Sequence, residues 1–245
     1  MADYDNRLMR GATTGAYTVD AGLRSYMLRV YNYMTGALVL TGALAWVTAN
    51  TSLITLFYQQ TDRGLQPTIP GYVALFAPFA LALYMQFRIQ KMSFSAAQAT
   101  FWVYAGLMGV SLSWILLAYT GASVALTFFV TAATFGGMSL YGYTTKRDLT
   151  GIGSFLIMGV WGLFIAMLAN MFFQSPAVDF AVSVLGVLIF TGLTAYYNQA
   201  IKNMYYVGDD GTVAGRKAIL GALVLYISFI NLFLFMLRFM GSSRR

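Results

Sequence analysis

The sequence predicts an all-α integral membrane protein with seven transmembrane helices. Of its 245 residues, 59% are hydrophobic and only 9% are charged, and the mean hydropathy is +0.67. Soluble domains carry roughly a quarter charged residues. Seven stretches also contain the run of about 20 mostly apolar residues that a membrane-spanning helix needs. The lipid bilayer is therefore the expected solvent and partner of this chain.

The predicted spans follow one another, and no connection between them is long enough to separate a second domain. In chain order they are 25–49, 71–89, 94–119, 123–143, 151–173, 177–201 and 216–240. Transmembrane strands are not expected, because barrel strands alternate over about 10 residues whereas these stretches are apolar at consecutive positions. We expect one transmembrane domain at 25–241, between a polar N-terminal tail at 1–24 and a short basic C-terminal tail at 242–245.

The basic residues predict the orientation of the bundle. Lys and Arg are retained on the cytoplasmic side during insertion. If the N-terminus is cytoplasmic, only Arg63, Arg238, Arg244 and Arg245 of the 15 basic residues lie on the far side. A cytoplasmic N-terminus is therefore expected. The basic residues form no continuous patch, so the net charge of +7 does not indicate nucleic-acid binding.

The residues that most enzymes use are missing. The chain has no His, Glu or Cys, and no pair of acids lies within the predicted spans. Proteases with paired aspartates or an activated serine, and hydrolases with a bound metal, are therefore not expected. The loop at 207–211, with Asp209 and Asp210, is interpreted as a turn and not as a calcium loop. We predict no catalytic residue, no metal site and no cofactor.

Polar residues concentrate on one face of each of the last two spans. The seventh carries Gly221, Ser228, Asn231 and Arg238 near one helical face, and the sixth carries Thr191, Thr194 and Asn198, with Tyr197 and Gln199 nearby. Unpaired polar groups are costly at membrane depth, so the two faces are expected to meet. An interhelical hydrogen-bond cluster is the favoured interpretation. A permeation or sensing site is the alternative.

Small residues four apart predict close contacts between helices. Such pairs predict packing seams on the third, fourth and fifth spans, at Ala105, Gly109 and Ser113, at Ala132 with Gly136 and Ala133 with Gly137, and at Gly162, Ala166 and Asn170.

Two motifs in the last spans resemble a known family. Residues 221–234 read Gly-Ala-Leu-Val-Leu-Tyr-Ile-Ser-Phe-Ile-Asn-Leu-Phe-Leu, and residues 191–202 read Thr-Gly-Leu-Thr-Ala-Tyr-Tyr-Asn-Gln-Ala-Ile-Lys. Together they resemble the signature of the Bax inhibitor-1 family, also called the transmembrane BAX inhibitor motif family. The stretches at 132–153 and 21–40 are similar to its proteobacterial branch, so the resemblance covers most of the chain.

The resemblance implies a seven-helix fold in which six spans surround a central last helix, in a bacterial cytoplasmic (inner) membrane. Family members are described as pH-sensitive calcium leak channels, and eukaryotic members as suppressors of cell death. The family's sensor is an aspartate pair in the motifs Ala-Tyr-Asp-Thr-Gln and Leu-Tyr-Leu-Asp-Phe-Ile-Asn. Two close carboxylates share a proton, so their apparent pKa values separate and the pair can sense pH.

This chain departs from the family pattern at both acids. Tyr197 and Ser228 stand at the two aspartate positions, and neither side chain ionises near neutral pH. Their hydroxyl groups could instead hydrogen-bond to each other without charge. The resemblance therefore implies a pore or gate at Tyr197 and Ser228, with supporting polar residues Thr194, Asn198, Gln199, Asn231 and Arg238.

Two functions remain open at this point. The first is a passive leak for calcium or another cation, with altered or absent pH sensing. The second is a membrane interaction protein that does not transport and that modulates a membrane-bound partner, such as a quality-control protease. The missing acid pair and a tail available for binding motivate the second function.

Overall fold

The computed structural model describes the backbone of residues 2–61 and 64–243 and the side chains of residues 21–61 and 66–243. Its long helices are α1 (Ala2–Asn50), α3 (Ile69–Arg88), α4 (Phe94–Leu112), α6 (Gly121–Thr144), α7 (Thr150–Phe173), α8 (Pro176–Asn203) and α9 (Gly211–Met240). Two short helices, α2 (Ile54–Phe57) and α5 (Ile115–Ala118), two strands, β1 (Tyr58–Thr61) and β2 (Gly64–Pro67), and a 3-10 turn (Ile89–Lys91) complete the described elements.

Seven helical segments are long and apolar enough to cross a membrane, which confirms the predicted fold class. The first segment begins at Ala21, and the backbone of α1 continues as a helix back to Ala2 through the predicted polar tail. The side chains of residues 1–20 lie outside the described part, as do Arg244 and Arg245. The division into tails and one domain stays a prediction.

Several helices begin at a side chain that caps them. Free N–H groups in the first turn of a helix need acceptors, and Ser, Thr and Asp supply them. Thr68, Ser93, Thr120 and Asp210 accept from backbone N–H groups at the starts of α3, α4, α6 and α9. These polar residues directly before apolar runs explain why the helices begin where they do.

The third span, Phe94–Ala118, has an irregular turn where α4 ends and α5 begins. Ser113 separates α4 from α5, because its N–H and its Oγ both donate to the carbonyl of Val110, at 3.2 and 2.7 Å. These bonds over three residues replace the four-residue spacing of an α-helix. The connection before α3 contains an antiparallel hairpin that pairs Tyr58 with Pro67. The Tyr58 hydroxyl donates to the carbonyl of Ser111 at 3.0 Å and ties the hairpin to α4.

Helix α9 is the most buried of the seven spans. Within its apolar window 72% of the residues are buried, against 11% for α7. It packs against α1, α3, α4, α6 and α8, whereas α7 packs mainly against α8. The full arrangement of six helices around the last one stays a prediction.

Close backbone approaches occur at some of the expected glycines and not at others. A Cβ on Gly109 would lie 2.7 Å from the carbonyl oxygen of Thr41, so α4 meets α1 there as predicted. The expectation of a seam is wrong at Gly136, Gly137 and Gly162, because added Cβ atoms at those positions would meet no atom within 4 Å. Helix α6 instead contacts the backbone of α8 at Gly142. The spacing of small residues identifies a helical face, but not whether another helix lies against it.

The two ends of the bundle differ in charge. At one end, called the basic end, Lys202 donates to the carbonyl of Tyr143 at 2.8 Å and Arg216 donates to the carbonyl of Gln90 at 2.9 Å. At the opposite end, Ser242 pairs with the turn before α6, where it accepts from the N–H of Thr120 at 3.1 Å. Helix α9 therefore runs the full length of the bundle. Which end faces the cytoplasm stays a prediction.

Candidate functional site

Polar side chains from four helices meet inside the bundle, on the side nearer the basic end. We call them the polar cluster: Tyr31 of α1, Ser139 of α6, Thr194 and Asn198 of α8, and Ser228 of α9. Four of the five are buried and Tyr31 is half-buried. All five are neutral near pH 7.

Asn198 connects three of the helices. Its side chain is fully buried. The Tyr31 hydroxyl donates to its Oδ1 at 2.6 Å, and its Nδ2 donates to Ser139 Oγ at 3.0 Å and to the Thr194 carbonyl at 2.7 Å. The amide thus uses both N–H groups and its oxygen, which offsets the cost of burying them.

Thr194 and Ser228 join α8 to α9. Their hydroxyl oxygens are 3.3 Å apart, and Thr194 also donates to the carbonyl of Phe190 at 2.8 Å. A hydroxyl has a single proton. Because Thr194 gives its proton to Phe190, Ser228 must be the donor between the two hydroxyls. The polar faces of the last two spans meet at this contact.

Tyr197 does not join Ser228 in the structure. The Tyr197 side chain is half-buried, and its ring is tilted against that of Tyr196 with 5.4 Å between the centroids. Its hydroxyl makes no hydrogen bond to Ser228, whose partner is Thr194, one turn earlier on α8. The hydrogen bond expected between the two residues at the aspartate positions is therefore not formed. Their role as a gate stays a prediction.

The other predicted site residues lie outside the polar cluster. Gln199 accepts from the N–H of Leu149 at 2.8 Å and donates to the carbonyl of Arg147 at 2.7 Å, which ties the loop between α6 and α7 to α8. Asn231 donates within its own helix, to the carbonyl of Ile227 at 2.8 Å. Arg238 pairs with Asp179 at the end opposite the basic end.

Sequence reasoning missed Tyr31 and Ser139. Thr127, Thr131 and Ser139 lie on one face of α6, and all three are buried. Thr131 is four residues after Thr127, and Ser139 is eight residues after Thr131. That spacing could have indicated an inward polar stripe. Tyr31 carries no comparable signal, since the chain has 17 tyrosines and many lie in predicted spans.

A second buried polar contact joins α1, α4 and α9. Thr41 Oγ1 donates to the carbonyl of Ala105 at 2.8 Å and lies 2.7 Å from the hydroxyl of Tyr226. Tyr226 is therefore the donor to Thr41, by the same one-proton argument. The Tyr226 ring packs edge-on against Tyr104, with 5.4 Å between the centroids.

A groove between α1 and α6 leads to the polar cluster. Its volume is about 570 Å³, and its lining includes Tyr31 and Ser139. Among the described residues, no group of three or more acidic, His or Cys side chains could hold a metal ion. The polar cluster offers only hydroxyl and amide oxygens, whereas strong calcium sites use six to eight oxygens that include carboxylates. The polar cluster therefore lacks the ligands of a strong calcium site.

Comparison with known proteins identifies the family. The model of the family described as "Inhibitor of apoptosis-promoting Bax1" matches residues 23–245. The chain belongs to the Bax inhibitor-1 family. The resemblance of the sequence motifs is thus confirmed, and with the seven spans it makes this a multi-pass membrane protein of that family.

Three relatives of this Bax inhibitor-1 family protein match it over more than 90% of their own length. It is 50% identical to an uncharacterized protein of Caulobacter vibrioides, over 93% of this chain and 92% of the relative. It is 46% identical to uncharacterized protein RP147 of Rickettsia prowazekii, over 100% of both chains. Inner membrane protein YbhL of Escherichia coli K12 is 45% identical, over 91% of this chain and 94% of that protein.

Proposed function

We propose that the protein is a passive cation leak in a bacterial inner membrane, with calcium as the expected ion and the N-terminus in the cytoplasm. The polar cluster is the observation that carries this proposal, because polar groups gathered at membrane depth mark ion pathways in membrane proteins. The family resemblance supports calcium, and the similarity to an E. coli inner membrane protein supports the location.

The polar cluster corresponds to a closed gate in this proposal. Asn198 is bonded on all sides, so a cation could pass only after the bond from Tyr31 or the bond to Ser139 opens. Aromatic pairs lie on the far side of the cluster: Phe135 with Phe229, 5.4 Å between centroids, and Phe190 with Phe235, 5.6 Å. A cation entering this part of the bundle would lose its water, so a slow flux is expected.

The absence of acids from the polar cluster predicts a flux that does not depend on pH near neutrality. Tyr, Ser, Thr and Asn side chains do not change charge between about pH 6 and pH 8. Tyr197 and Ser228 therefore keep the positions of the family's sensor without its titration.

Calcium flux into proteoliposomes tests the proposal. Wild-type protein should give a flux above that of protein-free liposomes, with the same rate at pH 6, 7 and 8. The variant Tyr197→Asp with Ser228→Asp should gain pH dependence, because burial raises the pKa of a carboxyl toward neutrality. Asn231→Asp is the matched control, since it adds an acid to α9 outside the polar cluster. No flux, or a steep pH transition in the wild type, would contradict the proposal.

A membrane interaction protein without transport is the second candidate. The hydrogen bonds of Asn198 favour this candidate, because its amide has a partner for every polar atom. Such a residue can hold helices together without conducting an ion. Such a protein would show no flux and would co-purify with a membrane-bound partner, for example a quality-control protease. Deleting residues 2–20 leaves the first span intact and should remove the partner. A partner that stays bound would count against a role for the tail.

A further inference from the structure

We propose that the groove between α1 and α6 at the basic end binds one anionic phospholipid. One acyl chain would lie in the groove, and the phosphate would lie at Arg24. The proposal goes beyond the leak and does not require transport.

The groove opens sideways toward the bilayer. Leu28 on α1 is 51% exposed and Leu140 on α6 is 64% exposed at its edges, and both line the cavity of about 570 Å³. A Cβ on Gly136, on the α6 wall of the groove, would meet no atom within 4 Å. Both edges are in predicted membrane spans, so hydrocarbon and not water surrounds the opening. An acyl chain is the occupant that this environment supplies.

The length of the groove fits one leaflet. Its lining on α1 runs from Arg24 to Thr35, which corresponds to roughly 16 Å at a rise of 1.5 Å per residue. One leaflet contributes about 15 Å of hydrocarbon, half of the bilayer core. A phospholipid with its phosphate at Arg24 would therefore reach Thr35 with its chain near the bilayer midplane.

The mouth of the groove is positively charged. Arg24 is exposed there, and Lys202 lies 5.2 Å from the centre of the Tyr143 ring that lines the groove. The two ion pairs found among the described side chains are Lys217 with Asp209 and Arg238 with Asp179, so neither Arg24 nor Lys202 has a carboxylate partner there. Basic pockets between transmembrane helices on the cytoplasmic side recognise anionic headgroups.

A second groove along the same helices gives an internal comparison. It has a volume of about 410 Å³ and is lined by residues such as Leu38, Ala45 and Phe128, with no charged side chain in its lining. An acyl chain can fill it as well, but nothing there selects a headgroup. Headgroup preference is therefore expected only at the basic end.

The bound chain would touch the polar cluster. Tyr31 and Ser139 line the groove and are the two side-chain partners of Asn198. A lipid in the groove would therefore lie directly against these two side chains.

Native mass spectrometry of the full-length protein tests the site by titration with phosphatidylglycerol and with phosphatidylcholine of the same acyl chains. The first phosphatidylglycerol should bind about five-fold more tightly than phosphatidylcholine, which is the contribution of one cation near an anionic surface. Arg24→Gln should remove this preference and leave phosphatidylcholine binding unchanged.

A pair of glycine variants tests the groove itself. Gly136→Phe should fill the groove and lower the affinity of the first lipid at least five-fold. Gly137→Phe is the matched control, because Gly137 also faces open space but does not line the groove. Equal binding by the two variants, or no headgroup preference in the wild type, would overturn the proposal. Competition by millimolar inorganic phosphate would assign the site to free phosphate and would also overturn it.

Discussion

Polar side chains are accommodated in two different ways along the contact between α8 and α9. The polar cluster is buried and neutral, and Asn198 within it has a partner for every polar atom. At the end opposite the basic end, Asp179 and Arg238 form an ion pair in which each side chain is about 40% exposed. Charge is thus kept where water or headgroups can reach it, and the interior uses hydrogen bonds without charge. The following substitutions compare how much the polar cluster and the ion pair each contribute to the free energy of unfolding.

The largest effect is expected from Asn198→Leu. Leucine keeps the branched shape of the side chain but leaves Tyr31 and Ser139 without their Asn198 partner. Hydrogen bonds between membrane helices contribute about 0.6 kcal/mol each. Two lost interhelical bonds correspond to about 1.2 kcal/mol, measured by unfolding in mixed micelles. The control Asn231→Leu, whose amide bonds only within its own helix, should cost less than about 0.5 kcal/mol. Equal effects would show that the polar cluster does not hold the helices together.

A smaller effect is expected from Ser228→Ala. Thr194 keeps its bond to the Phe190 carbonyl, so only one interhelical bond is lost, worth about 0.6 kcal/mol. The same unfolding measurement checks this value. Combining Ser228→Ala with Asn198→Leu should be less than additive, because both changes act on one network. If Ser228→Ala by itself destabilised the protein as much as Asn198→Leu does, this assignment of the bonds would be contradicted.

Breaking the exposed ion pair should change stability least. Asp179→Asn should cost no more than about 0.5 kcal/mol, since exposed pairs are weak, and the cost should shrink as salt is raised. Unfolding at two salt concentrations measures both quantities, with Arg238→Gln as the reciprocal variant. A larger cost that salt does not change would mean that the pair is shielded from solvent.

The cap of α9 gives a pH dependence outside the membrane. Hydrogen bonds from Thr212 and Val213 hold the pKa of the Asp210 carboxyl below its usual range. A lowered folded pKa gives stability above the unfolded pKa, near 4, and loses it as the pH falls through the folded value. Asp210→Ala should therefore be less stable than the wild type at pH 7, and this difference should shrink as the pH falls below about 4. Asp210→Asn, which does not titrate, is the control, and a wild-type loss near pH 6 would contradict this account.

The sequence predicted the helices well because apolar length decides them. It predicted less well what depends on the rotation of one helix against another. Thr194 and Tyr197 lie on nearby faces of α8, three residues and about 60° apart, so the sequence pattern could not tell which one meets Ser228. The hairpin was missed because its strands are four residues each and polar. The turn signal at Gly64, after Asp62 and Arg63, was the available clue.

Calcium flux across a pH series tests the central claim most directly, which is that neutral side chains, Tyr197 and Ser228, stand where the family resemblance implies an acid pair. The rate for the wild type at pH 6 should equal the rate at pH 8, while the variant with Asp at 197 and 228 should show a clear difference between them. A steep pH transition in the wild type, with a flat response in the double variant, would contradict the account.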